Sequence, residues 1–162
     1  MKLEFNLEKQ AAKVAHINVR EEMHGEDPIL PLDVKVETDV PNDFLSYLSP
    51  TLKWSLYDKA DGQGELIKDD AHLSALRYPE LGVLGWAGEM EGAAVVFHGL
   101  KKATDIELEG DVDKVRLECK EGGTVALTLR IKVQPTPGQS AALMGLLGHD
   151  TKVSVRPAGS EE

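Results

Sequence analysis

The sequence predicts a strand-rich α+β domain made of two pseudo-twofold-related β-β-α-β units, with a β-hairpin region inserted between them. Three observations carry that expectation. Apolar and charged residues alternate in Leu32–Val36 and Leu127–Val133, the period-two signature of strands with one face on a core. Each run leads through a proline into a short apolar helical patch, around Phe44–Leu48 and Leu143–Leu147. Each patch then leads to a further alternating run; Val36 to Trp54 spans 18 residues and Val133 to Val153 spans 20. One domain over 1–162 is expected, with unit one at 12–57, a β-rich insertion at 58–111 and unit two at 112–157.

The elements follow in order. Leu3, Phe5 and Leu7 form one strand face, and Ala15, Ile17 and Val19 a second. Gly25 and Pro28 punctuate the polar turn "REEMHGEDP". Leu32, Val34 and Val36 point one way, and Asp33, Lys35 and Glu37 the other. Asn42 is placed to cap a helix that carries Phe44, Leu45 and Leu48 on one face and stops at Pro50. Trp54 and Leu56 resume a strand.

In the middle region, "DKADGQGE" is a polar loop and "DDAHLSALR" one or two helical turns begun at Asp69 or Asp70. "VLGWAGEMEGAAVVFHG" reads as a glycine-interrupted hairpin anchored by Trp86, Val95 and Phe97, and "TDIELEGDVD" as strand then turn. "DKVRLECK" and "TVALTLRIKV" are strands joined by the hairpin signal "EGG". "QSAALMGLLG" is a helix with Leu143, Met144 and Leu147 inward and Gly148 as its stop, before the strand of Val153 and Val155.

Composition narrows the function. Apolar residues at 41 % suit a folded domain, and no apolar run approaches the roughly 18 residues that span a bilayer. "MKLEFNLEKQ" lacks a signal peptide's apolar core, so a cytoplasmic protein is expected. The single cysteine, Cys119, excludes an internal disulfide and reads as a small buried hydrophobe. A formal charge of -10 repels nucleic-acid phosphates on average, yet the acids are dispersed and leave room for a local basic groove.

Searching for chemistry gives little. Counting from Asp58, an EF-hand would need a glycine at Gln63 and a glutamate at Asp69. His16, His24, His72, His98 and His149 never fall at the spacings that pair imidazoles on a helix, so no metal is expected. There is no G-x-S-x-G, no S-x-x-K and no Walker motif, and Gly62-x-Gly64 lacks the rest of a dinucleotide loop. The adjacent carboxylates Glu21-Glu22 and Asp69-Asp70 would face opposite ways on a strand. Neither catalytic residues nor a cofactor are expected, and the reading is non-enzymatic.

Binding remains. Single-strand DNA binders join a positive groove to aromatics on which bases stack. Lys35, Lys53, Arg130, Lys132 and Lys152 recur in matching places in the two units and could form a basic strip, with Tyr57 as its aromatic. Tyr47, Tyr78 and Trp86 are further free aromatics, while Phe44, Trp54 and Phe97 look like core. Ordinary salt-bridged strand faces would place the same cations.

Residues 14 to 57, "VAHINVREEMHGEDPILPLDVKVETDVPNDFLSYLSPTLKWSLY", resemble a family of small uncharacterised early-region proteins of tailed phages and prophages. The shared elements are "HGED", "LDVKVE", Asn42 opening a helix, and "L-x-x-L-S-P-x-L-K-x-x-L-Y". The resemblance implies a neighbourhood of recombination and replication functions, and no catalytic residue to carry over. The expected function is therefore an accessory of DNA replication or recombination that binds single-stranded DNA or a replisome protein. An acidic protein inhibiting a host defence or DNA-binding factor, and a structural virion or assembly component, stand as alternatives. A homodimer is also expected; whether the arrangement buries its apolar surface within one chain or leaves an edge strand for self-association is open, because an unpaired edge looks like any other alternating segment.

Overall fold

Alternation along the chain becomes a closed surface in the computed structural model, which describes residues 2–20, 22–24, 27–59, 73–99 and 104–159. In chain order the strands are β1 (Leu7–Val19), β2 (Glu22–His24), β3 (Asp27–Ile29), β4 (Leu32–Pro41), β5 (Tyr57–Asp58), β6 (Ala75–Leu76), β7 (Leu84–Trp86), β8 (Met90–His98), β9 (Ile106–Cys119), β10 (Thr124–Val133) and β11 (Asp150–Arg156). A 3-10 turn at Asn42–Phe44 runs into α1 (Leu45–Leu48) and α2 (Leu52–Leu56), and α3 (Pro137–Leu146) precedes β11. Six long strands pair antiparallel in the cycle β10-β4-β1-β11-β8-β9, and β9 pairs again with β10 to close a barrel. β7 extends the wall by pairing with the end of β9 that lies beyond β8.

Closure follows from the side-chain pattern. Val34, Val36, Val95, Val112, Val125, Leu129, Ile131, Val153 and Val155 are fully buried and point inward from alternate positions. Each such burial contributes about 1.5–3 kcal/mol. Bending a sheet into so small a barrel needs extra local twist, which bulges supply. Register shifts occur between Leu7 and Gln10, Val14 and His16, Met90 and Ala93, and in β9 opposite Thr128 and Arg130. Three of these carry a left-handed residue: Lys9 (φ 43°), Gly92 (φ 65°) and Lys114 (φ 48°). Gly110 is fixed by close approach, since a Cβ there would lie 2.8 Å from the Lys132 carbonyl oxygen.

The helical segments leave opposite ends of the β4–β10 pair, where Pro41 faces Thr124 and Val133 faces Leu32. Phe44 and Leu45 join the core after β4, Phe44 packing edge-on against Phe5 at 5.3 Å, and Leu143 of α3 joins it after β10. α3 starts with a capping box: Thr136 accepts from the Gln139 amide, and Gln139 accepts from the Thr136 amide. Gly148 takes a left-handed conformation (φ 79°) just beyond it.

Several expectations need correction. The strand expected at Trp54 and Leu56 is the helix α2, and Trp54 is exposed rather than core. Its short run from Leu52 to Leu56 carries no β-branched residue and hydrogen-bonds locally, Ser55 N–H to Thr51 C=O. The twofold relation between units bounded as expected is therefore not confirmed. The two expected N-terminal strands are the single strand β1, with Leu3 and Phe5 buried ahead of it. Asn42 caps nothing; its amide donates to the Leu73 carbonyl at 2.6 Å and ties the turn after β4 to the β6 loop.

Ala75 and Leu76 form a strand with Tyr57 and Asp58 instead of helix, while the loop after Lys59, Gly62-x-Gly64 and the Asp69 or Asp70 start lie outside the described residues. β7 and β8 each pair with β9 and do not form a hairpin with one another. "TDIELEGDVD" and "DKVRLECK" merge into the 14-residue strand β9, bent at Lys114 in place of a turn. On α3 only Leu143 is buried; Met144 and Leu147 are exposed. Each of the six barrel strands pairs with two neighbours, and β7 ends the sheet beyond them.

Candidate functional site

Of the six residues expected on a basic strip, the barrel brings three together. Lys35 on β4 lies directly opposite Arg130 on β10, and Lys132 follows two residues along the same outer face. Lys53 is on α2, buried, and ion-paired with Asp43. Tyr57 is completely buried; its hydroxyl donates to the Lys120 and Thr124 carbonyls at 2.8 and 3.1 Å, and burial raises its pKa beyond the ordinary phenol range. A phenol so enclosed is a brace under the β9–β10 turn and offers no face to a base. Lys152 sits on β11, on the far side of β1 from β4.

Arg130 and Lys132 are occupied by a carboxylate. Arg130 grips Asp113 with two bonds, Nε to Oδ1 at 2.7 Å and Nη2 to Oδ2 at 2.6 Å. The Lys132 ammonium lies 3.4 Å from the same carboxylate and 3.4 Å from Glu89. Burial alone would raise the Asp113 pKa, but the Arg130 bonds and the Lys132 charge outweigh it and hold the carboxyl below its usual range. The Arg130 hydrogen bond to Asp113 raises the guanidinium's own pKa. For Lys132, burial acts downward and is overcome by Asp113, so its pKa is raised. These two cations thus behave as a salt-bridged strand face.

Beside them lies a cationic depression that sequence inspection missed. It has a volume of about 320 Å³, and Lys35, Lys114, Arg116, Arg130 and His16 line it together with Thr128. Two bulges build it. On β9, Val112 and Val115 both point inward, so the left-handed residue Lys114 is an extra outward position between Asp113 and Arg116. On β1, the shift after Val14 sets His16 opposite Lys35. Arg116 lies opposite Thr128, completing the opposite wall.

Among the described residues, no carboxylate pairs with Lys35, Lys114 or Arg116. Asp33, the one carboxylate lining the depression, is held by Arg20 at 3.2 Å. The sequence signal was "DKVR", where strict alternation would put Lys114 and Arg116 on one face and Asp113 on the other; only the bulge gathers all three. Aromatics are absent from the lining, so the arrangement can hold phosphate or carboxylate oxygens by charge but offers no stacking surface. Among the described residues, no cluster of His, Cys, Asp or Glu could hold a metal ion, and no helix is long and apolar enough to cross a membrane. Cys119 is half-buried and its thiol pKa is raised by that burial.

No family model matches this chain, and neither a curated protein nor a solved structure does.

Proposed function

We propose that the protein binds the sugar–phosphate backbone of single-stranded DNA on the outer β1–β4–β10–β9 face, as a phage-type accessory of replication or recombination. The observation that carries this reading is the trio Lys35, Lys114 and Arg116, gathered without carboxylate partners on a body of formal charge -10. A local positive concavity on an acidic surface attracts a polyanion to one place and repels it elsewhere. The absence of stacking aromatics makes the binding sequence-neutral and strongly salt-dependent. Binding of a fluorescent oligonucleotide at low salt, weakening as salt rises, tests it; no binding at low salt removes the reading.

A second reading is supported by the adjoining β8–β9 wall. Glu91, Glu107 and Glu109 are exposed on β8 and β9, where an acidic face could occupy a host factor's DNA-binding surface. A stable DNA-processing partner co-purified from infected cells would favour it over the first.

Exchanging β1 with β9, β4 with β10 and β8 with β11 maps the barrel cycle onto itself. We infer a β-β-α-β unit repeated with β8, and not Trp54–Leu56, as the closing strand of the first copy.

A further inference from the structure

Outside the cationic depression, the β1–β11–β8 wall carries a hollow of about 560 Å³ lined by His98, Asp105 and Ser154. The His98 Nε2 lies 2.7 Å from the Ser154 hydroxyl oxygen. On the other side of the ring, Nδ1 lies 3.4 Å from Oδ2 of Asp105. The second Asp105 oxygen accepts the Gly99 amide at 2.8 Å, which holds the carboxylate against the imidazole. The backbone amide of Lys9 donates to the Ser154 oxygen at 2.9 Å. The hydroxyl keeps a second lone pair, so either imidazole tautomer satisfies the Nε2 contact; in the tautomer with the proton on Nδ1, Ser154 donates to Nε2 and Nδ1 faces Asp105.

We propose that Ser154, His98 and Asp105 are a nucleophile, general base and orienting carboxylate that hydrolyse a short-chain carboxylic ester. The roles follow from the order of contacts, hydroxyl to Nε2 and Nδ1 to carboxylate, which is how serine is activated on unrelated folds. Ser154 Oγ forms a bond to the ester carbonyl carbon while its proton passes to Nε2. The alcohol then leaves with that proton. Water, activated by the same nitrogen, attacks the acyl-serine; the acid departs and the proton returns to Oγ. The Lys9 amide, turned toward Oγ by the left-handed bulge, is placed to shift to the carbonyl oxygen as its charge develops.

The substrate class follows from the wall. Val96 lies opposite Ser154 and Ala94 opposite Arg156, and both give the hollow a short apolar floor inside a charged rim of Glu8, Lys9, Glu107, Lys152 and Arg156. β11 is paired on both sides, so an extended peptide cannot add to it as a strand. A small ester meets both conditions.

A fluorophosphonate probe on the full chain, with peptide mapping, tests the nucleophile. Labelling is expected at Ser154, absent in Ser154→Ala and slowed about 100-fold or more in His98→Ala. Both variants are first checked for wild-type melting, and Ser154→Gly with His98→Gln replace either that fails. No label at Ser154, or labelling indifferent to His98, overturns the assignment. Faster turnover of p-nitrophenyl acetate than of p-nitrophenyl octanoate supports the substrate class, and the reverse order overturns it.

Discussion

Replacing Asp113 by asparagine should move stability and DNA affinity in opposite directions. The carboxylate receives two short bonds from Arg130 and the charge of Lys132, with side chains 17 %, 28 % and 27 % exposed respectively. Charge-assisted bonds of this kind contribute about 1.5–3 kcal/mol each when buried, and solvent screening reduces them here. A net loss of about 2 kcal/mol is expected, a fall in Tm of about 4–8 °C for a chain of this size. Because the folded Asp113 pKa is depressed, its contribution is present above the unfolded value near ~3.9 and disappears as pH falls through the folded one. The wild-type and variant melting curves should therefore begin to approach each other below about pH 4 and meet only once pH is below the folded pKa.

Binding should respond the other way. Three unpaired cations give a slope of log K against log salt of about -2, at ~0.7 per phosphate contact on a single strand. Releasing Arg130 from Asp113, while Lys132 keeps Glu89, should steepen that slope toward about -2.8 and tighten binding at low salt. Thermal melts and salt-dependent titrations of one oligonucleotide on both proteins are the assay. A variant that loses stability yet binds with unchanged affinity and slope would refute the placement of DNA on this face.

Other changes have equally definite outcomes. Lys114→Gly should relieve a left-handed strain of about 1 kcal/mol, raising Tm, while cutting the salt slope by about 0.7 as one contact is lost. Leu143→Ala removes the one buried side chain of α3 and should cost about 2–5 kcal/mol in denaturant unfolding. Asn42→Asp sets a carboxylate against the Leu73 carbonyl in place of a donor, and should destabilise by about 1–3 kcal/mol in the same measurement.

Along the regular stretches of β4 and β10 the sequence by itself determined which side chains face inward. Alternation in Leu32–Val36 and Leu127–Val133 matches the burial of Val34, Val36, Leu129 and Ile131, because a strand's two faces differ only by parity. It also determined the "EGG" hairpin and the Gly148 stop, where left-handed backbone selects glycine locally. Only the tertiary structure decided which strand lies beside which, since any alternating segment offers the same hydrogen bonds to any partner. It alone placed the bulges, which depend on register against a neighbour, and with them Lys114 between Asp113 and Arg116. Ser154, His98 and Asp105 stand on β11, β8 and the segment entering β9, and strand pairing, which leaves no spacing motif, is what brings them within contact.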